Sequence, residues 1–265
     1  MPTTAKRATP VAAALAAAAV ALGCLLAAPA PARAAGEAPP VPDTRFSFDG
    51  VFGTFDRGEL QRGFQVYQQA CAACHGLYQI SYRHLRDIGL SEDQVRAIAA
   101  SVQVRDGPND EGAMFERPGR PADRFVRPYP NEQAARAANN GAYPPDLSLM
   151  VKAREGGADY LKALLVGYQD PPEGETVREG MYYNRYYPGH WIAMPQILND
   201  GQVEYIDGTP ATAEQHARDV TAFLAWAAEP NLEARRQMGV RIILFLTVLG
   251  GLVYAVKRKV WSDVH

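Results

Sequence analysis

Cys71, Cys74 and His75 form the run Cys71-Ala72-Ala73-Cys74-His75, the C-x-x-C-H spacing at which two thiols add across the vinyl groups of a haem. The adjacent imidazole then lies under the iron. His75 becomes the proximal ligand, and the group on the opposite face decides between electron transfer and ligand chemistry. Two other uses of these residues fit less well. A structural zinc ion needs four ligands, and this run supplies three at awkward adjacency, with no second Cys pair in the sequence. A thioredoxin-type redox pair follows a strand and opens a helix, whereas a helical pattern precedes Cys71.

The candidates for the opposite axial position are Met114, Met150, Met181, Met194 and His190. Met150 follows an apolar helical pattern, the usual setting of a gap-filling core methionine. Met114 stands early in a long loop, and Met181 precedes Tyr182-Tyr183 as a pocket-lining residue would. Met194 sits in Trp191-Ile192-Ala193-Met194-Pro195, where an apolar approach meets a proline that fixes the chain beyond it. Met194 is therefore the expected distal ligand, with His190 its main rival; bis-histidine ligation would lower the potential. His84 and His216 stand in no ligand-like spacing.

Those ligands need elements to position them. Residues 56–70 read as a helix with Leu60, Phe64 and Tyr67 on one face, Gly63 permitting close approach of a second helix, and Cys71 at its end. Ser91-Glu92-Asp93-Gln94 resembles a capping box opening a helix over 93–102. Residues 105–143 are rich in Gly, Pro, Asn and Asp and read as long loops, with a short helix at 131–138. Residues 147–151 and 159–166 read as helical, 167–207 as a second irregular segment, and 212–228 as the last soluble helix, offering Val220, Phe223, Leu224 and Trp226 for packing. The expected fold is mainly α: a cytochrome c-type haem domain with long irregular loops, in which the first and last helices cross, plus one C-terminal transmembrane helix.

Both ends of the chain carry membrane signals. Lys6 and Arg7 precede an apolar Ala-rich run, and Ala32-Arg33-Ala34 fits a small-residue cleavage site, so 1–34 reads as a signal peptide. A lipoprotein reading through Cys24 is weaker, because Ala21 stands where a larger aliphatic residue is usual. With Cys24 removed, Cys71 and Cys74 are the remaining thiols, and haem thioethers account for both. Residues 239–256 are apolar apart from Arg241 and Thr247; at ~1.5 Å per residue they span ~27 Å, nearly one bilayer core. Lys257, Arg258 and Lys259 follow at once, and the positive-inside rule puts the tail 257–265 in the cytoplasm. The haem domain, 35–238, is then periplasmic, anchored to the bacterial inner membrane. Arg235 and Arg236 lie on the wrong side for a strict charge rule. Setting aside the seven basic residues of the end segments and Asp263 leaves 20 basic and 28 acidic residues in the haem domain. That surplus of eight negative charges serves solubility, or steers a basic partner at high rate and low salt.

An ordered series of short motifs resembles the cytochrome c1 family, the haem subunit of the cytochrome bc1 (ubiquinol to cytochrome c oxidoreductase) complex. The series comprises Cys71-Ala72-Ala73-Cys74-His75, Asn139-Asn140-Gly141-Ala142, Pro144-Pro145-Asp146-Leu147-Ser148, Arg154 with Gly156-Gly157 and Asp159-Tyr160, Arg178-Glu179-Gly180, Ile192-Ala193-Met194-Pro195, Asp207-Gly208-Thr209-Pro210-Ala211-Thr212 and Trp226-Ala227-Ala228-Glu229-Pro230. It runs through nearly the whole chain beyond the leader, and the leader itself points to the bacterial form.

The resemblance implies one covalently attached haem c on Cys71 and Cys74, His75 and Met194 as axial iron ligands, and Arg154 and Tyr160 at the haem propionates, where an Arg fork and a Tyr hydroxyl suit carboxylates. It also implies Pro144 and Pro145 as a wall beside His75. Some bacterial members carry an extra disulfide in the loops, and this chain has no cysteines for one. The implied function is one-electron transfer from a Rieske iron-sulfur protein to a soluble or tethered cytochrome c, with cytochrome b as a further partner. No catalytic acid or base is expected of this chain, which is an enzyme only as part of the complex. A tethered cytochrome c serving an oxidase, and a haem sensor with an open distal position, are the competing classes.

Overall fold

A computed structural model describes residues 39–264. The segment read as a signal peptide, 1–34 with Cys24, lies outside the described residues. Six α-helices are described: α1 Arg57–Val66, α2 Glu92–Ala100, α3 Glu132–Ala138, α4 Gly157–Val166, α5 Ala213–Ala228 and α6 Leu232–Val260. Two small antiparallel ladders join them, β1 (Gln103–Asp106) with β2 (Phe115–Pro118) and β3 (Tyr182–Tyr183) with β4 (Trp191–Ile192). The architecture is the expected mainly α one.

α1 begins where its sequence demands. Asp56 accepts from the backbone N–H of Gly58 (2.8 Å) and Glu59 (3.1 Å), satisfying donors with no partner inside the helix. The helix widens into a π turn over Tyr67–Cys71 and delivers Cys71 at its end. Leu60, Phe64 and Tyr67 all face inward, as their spacing predicts. They meet α5, whose Val220, Phe223, Leu224 and Trp226 are buried in turn, with Phe64 5.5 Å and Tyr67 5.8 Å from Phe223 between ring centroids.

The crossing of α1 and α5 depends on Gly63. A Cβ there would lie 2.0 Å from the Asp219 carbonyl oxygen and 2.7 Å from the Phe223 Cβ, so any side chain forces the two backbones apart. Three ion pairs, made by two arginines, tie the flanks of that contact. Arg62 reaches the buried Asp219 through two nitrogens (3.0 and 3.2 Å) and Asp207 through a third (2.8 Å), while Arg218 donates to Glu59 at 2.8 Å. Because Asp219 is fully buried, removing Arg62 would strand its charge, a loss typically of ~3–5 kcal/mol.

Two expectations need correction. Residues 147–151 form turns, not a helix: Leu147 donates its N–H to the Gly76 carbonyl (2.8 Å), and Ser148 donates its own to the Asp146 side chain (3.0 Å). Groups taken up in these contacts do not build a helical ladder. The region 105–143 also contains the β1–β2 hairpin, closed by Arg117, which bridges Asp106 (2.5 Å) and Asp123 (2.6 Å).

α6 runs 29 residues, ~43 Å at the helical rise, and is long and apolar enough to cross a membrane. Thr247 returns its hydroxyl to the Ile243 carbonyl (2.8 Å), which satisfies that donor within the apolar run. Arg235 and Arg236 are both engaged with the protein. Arg235 pairs with Glu229, while Arg236 donates to the carbonyls of Phe48 and Gly53, both at 2.7 Å. Those contacts hold the start of α6 against the rest of the chain and give both arginines partners within the protein.

Candidate haem-binding site

The motif closes on itself as a turn: Cys74 and His75 both donate backbone N–H groups to the Cys71 carbonyl, at 3.1 and 2.9 Å. Both cysteines are free and partly exposed. Burial, with Cys74 adding to it, pushes the Cys71 thiol up to about 12, so the sulfur is held protonated. Tyr129 places its hydroxyl 4.0 Å from the Cys74 sulfur and is itself hydrogen-bonded by Asn139 (3.1 Å).

The His75 ring is fixed by a second segment. Its Nδ1 lies 2.8 Å from the Pro145 carbonyl oxygen. A carbonyl only accepts, so Nδ1 carries the hydrogen and Nε2 keeps a free lone pair, the arrangement an axial ligand needs. Burial pushes the imidazole below its ordinary range, against the opposing pull of the Pro145 carbonyl and Asp146, and so keeps the ring neutral.

The strap continues along the chain. Leu147 bonds to Gly76 as described; Asp146 accepts from the Tyr78 N–H (2.9 Å) and Ser148 from the Gln79 N–H (2.9 Å). Tyr67 adds a bond from its hydroxyl to the His75 carbonyl (3.2 Å). Residues 145–148 are thus laced to 75–79 step by step. The two prolines suggested a wall beside His75; the role of the Pro145 carbonyl carries no sequence signal, because every residue has one.

Met194 stands just beyond β4, partly buried, with its carbonyl accepting from the Tyr168 hydroxyl at 3.0 Å. The segment that presents it is organised around Asn184, which is fully buried. The Asn184 side chain donates to the Leu164 carbonyl (2.8 Å) and accepts from the N–H groups of Tyr186 (3.0 Å) and Tyr187 (3.2 Å), while its backbone N–H donates to the His190 carbonyl (2.7 Å). Neither Asn184 nor Tyr168 was legible in the sequence, since one Asn among four tyrosines has no distinguishing pattern.

Of the rival ligands, His190 stacks on Tyr183 with ring centroids 5.3 Å apart, and its Nδ1 lies 3.3 Å from the Asn184 carbonyl, so it presents its Nε2 as His75 does and stays a rival to Met194. Met150 is buried in the core, Met114 is exposed, and Met181 lines an open cavity of about 390 Å³ with Tyr168, Tyr182 and Trp191. His216 is fully buried between Tyr205 (Nδ1 to Oη 2.9 Å) and the Val203 N–H (3.4 Å to Nε2), and His84 caps Ser81.

Arg154 and Tyr160 are brought together across the turn into α4. Tyr160 is buried, which raises its hydroxyl above the ordinary range, and the nearby Arg154 charge pulls it back. Arg154 donates to the Ala153 carbonyl (3.0 Å) and pairs with no carboxylate among the described residues. Its remaining donors stay free for an anion.

The donor set fits a covalently held haem: two unpaired thiols at the right spacing, one neutral imidazole with a fixed tautomer, and one thioether on a separate segment. A domain whose first helix runs into C-x-x-C-H and crosses its last soluble helix has the architecture of a c-type cytochrome. Comparison with known sequences narrows that class. A profile of the Cytochrome C1 family matches residues 46–264, and the chain belongs to that family. It is 54% identical over 215 residues to "Cytochrome c1-2, heme protein, mitochondrial" of Solanum tuberosum, covering 80% of this chain and 82% of that one. It is 46% identical over 235 residues to cytochrome c1 of Rhodospirillum rubrum, covering 83% and 86%. Identity to "Cytochrome b/c1" of Bradyrhizobium diazoefficiens is 52% over 246 residues, 84% of this chain but only 36% of that longer protein.

Proposed function

We propose that the chain is the haem subunit of a membrane quinol–cytochrome c oxidoreductase, carrying one haem c bound through Cys71 and Cys74, with His75 and Met194 as axial ligands and Arg154 and Tyr160 at the propionates. It accepts single electrons from a Rieske iron-sulfur protein and hands them to a cytochrome c. The observation that carries this reading is the His75 ring, whose Nδ1–H is donated to Pro145 while Nε2 remains free. The names of two relatives support the setting, "Cytochrome b/c1" of Bradyrhizobium diazoefficiens and "Cytochrome b-c1 complex catalytic subunit, mitochondrial" of Candida albicans.

When bound, the haem supplies reversible one-electron chemistry. The chain's own residues do the rest. Cys71 and Cys74 hold the group covalently, and Pro145 fixes the ring plane of His75. Met194 offers a thioether, which raises the potential compared with a second imidazole and closes the iron to small ligands. Arg154 and Tyr160 present donors suited to carboxylates. No residue here has to move a proton. Quinol oxidation belongs to partner subunits, among them cytochrome b, and this chain is no enzyme by itself.

The membrane arrangement we propose is supported by the length and apolar character of α6 and by the charges that flank it: residues 1–34 direct export, 35–238 form the periplasmic haem domain, 239–256 cross the bacterial inner membrane, and 257–265, with Lys257, Arg258 and Lys259 in the last turn of α6, stay in the cytoplasm. The negative surplus of the haem domain favours a basic electron acceptor.

Two measurements test the proposal. Purification through this chain in mild detergent should bring down a b-type cytochrome and a Rieske protein; recovery of the chain alone would refute membership of the complex. The oxidised protein should show the near-infrared sulfur-to-iron band, and Met194→Leu should abolish it and lower the potential by roughly 0.1–0.3 V, within the ~0.8 V over which axial ligands tune haem. A band that survives the substitution would remove Met194 from the iron.

A further inference from the structure

Residues 46–55 contain four phenylalanines, and three of them, Phe46, Phe48 and Phe55, are buried and stacked in series with centroids 5.0 Å apart at each step. The fourth, Phe52, is 84% exposed, and its neighbour Val51 is 68% exposed. The loop that displays them is rigid. Asp49 turns its carboxylate back onto the Phe46 N–H (2.6 Å), Thr54 donates its N–H to the Ser47 carbonyl (3.1 Å), and a Cβ on Gly53 would lie 2.1 Å from the Asp49 carbonyl oxygen. Phe52 is therefore held outward by a tight turn, and the one acidic group at the tip is occupied within the loop.

The position of the loop along α6 gives the exposure meaning. Phe55 donates its N–H to Glu233 (2.8 Å), and Arg57 grips the same carboxylate (2.8 and 3.0 Å). Two residues earlier in the chain, Gly53 meets Arg236, three residues further along α6. The Phe48 carbonyl accepts from Arg236 as well, so both ends of the tip 49–52 are tied to the start of α6, just before its apolar run. Arg236 stands one helical turn before Val240. The exposed apolar tip is accordingly braced at the height where α6 would enter the bilayer, the region in which aromatic side chains partition to the headgroup boundary.

We infer that Val51 and Phe52 form a second membrane contact, a rigid tip that dips into the outer headgroup layer beside α6 and fixes the tilt of the haem domain. One helix leaves a domain free to rock about its entry point; a second contact a short distance away removes that freedom. The occupant is lipid, because the tip is continuous with the lipid-crossing helix and carries apolar atoms with no free charge.

The inference rests on the reading that α6 spans the membrane, and the test separates the two. A coumarin amino acid is introduced at Phe52, at Ile206, which is fully exposed elsewhere on the haem domain, or at Leu246 in the middle of α6, in the membrane-embedded complex held in phospholipid nanodiscs. Haem absorbance confirms folding. Doxyl-labelled phosphatidylcholine should quench most of the emission at 52 while aqueous iodide removes little, with the reverse at 206. Iodide quenching at 52 as strong as at 206 would overturn the inference, and so would protection from both quenchers, which would mean that a protein subunit covers the tip. Failure of doxyl lipid to quench at 246 would overturn the spanning reading itself.

Discussion

The two segments expected to face the iron are supported in different ways. On the proximal side, His75 belongs to a strand of chain laced to residues 145–148 by a succession of bonds, each from a different group. On the distal side, Met194 follows the two-residue β3–β4 ladder, and the turn that closes this ladder is gathered on one buried amide, Asn184, while one hydroxyl, Tyr168, holds the Met194 carbonyl. A laced contact loses its members one at a time, whereas a hub loses several at once. The proximal ligand should therefore tolerate mutation and the distal ligand should not, although both sit in irregular backbone.

The largest effect that this contrast predicts is for Asn184→Ala. It leaves the partly buried N–H groups of Tyr186 and Tyr187 without a partner and takes one of two donors from the Leu164 carbonyl, which keeps the Gly167 N–H (3.3 Å), at a cost of roughly 2–4 kcal/mol. Unfolding midpoints should fall accordingly, and the reduced protein should begin to bind CO while keeping its covalent haem. Asp146→Ala removes one bond of the proximal lacing, from Tyr78, and the local bond from Ser148, but leaves the His75–Pro145, Leu147–Gly76 and Gln79–Ser148 bonds intact. It should cost about 1–2 kcal/mol and leave CO excluded. If Asp146→Ala opened the iron more than Asn184→Ala, the contrast would be wrong.

Tyr168→Phe deletes the single bond to the Met194 carbonyl, for about 1 kcal/mol. Its better readout is the sulfur-to-iron band, which should shift or broaden, with no change in haem content.

The smallest effect is a pH slope that belongs to neither side of the iron. His216 is buried, and burial pushes its imidazole below the ordinary value of 6.5 against the pull of Asp219 and Asp200. The unfolded chain then binds the proton more readily than the folded one. Stability is complete above about pH 6.5 and declines as pH falls from there toward the depressed folded value. His84 shifts in the same direction. Thermal melts between pH 7.5 and 5.5 should show the decline, and His216→Gln should remove part of it; an unchanged slope would show that His216 does not titrate on unfolding.

Legibility followed the range of the interactions. Ser91 was readable as a cap because a cap is settled within three residues, and the expected helix starts at 56, 131 and 212 fall on the residues that cap those helices in the structure, Asp56, Asn131 and Thr212. Gly63 was readable as a close-approach position, although only the fold shows that its neighbour is the Asp219 carbonyl. The expected helix at 147–151 failed because its apolar spacing was right but its backbone was committed to Gly76, about seventy residues away in sequence. The β1–β2 hairpin was missed for a similar reason: its strands are short and mostly exposed, so no alternation of apolar residues announces them.

The sequence by itself determined the chemistry that depends on spacing: thiols two residues apart beside an imidazole, a methionine before a proline, an apolar run long enough for a bilayer, and the motifs that mark the family. Tertiary structure alone decided what depends on partners distant in the chain. It chose the His75 tautomer through the Pro145 carbonyl, gathered the distal segment on Asn184, used Arg235 and Arg236 as braces, and turned Phe52 outward beside α6. The reason is physical: a side chain's reactivity is local, but its orientation, protonation and exposure are set by whichever groups the fold brings within hydrogen-bonding distance.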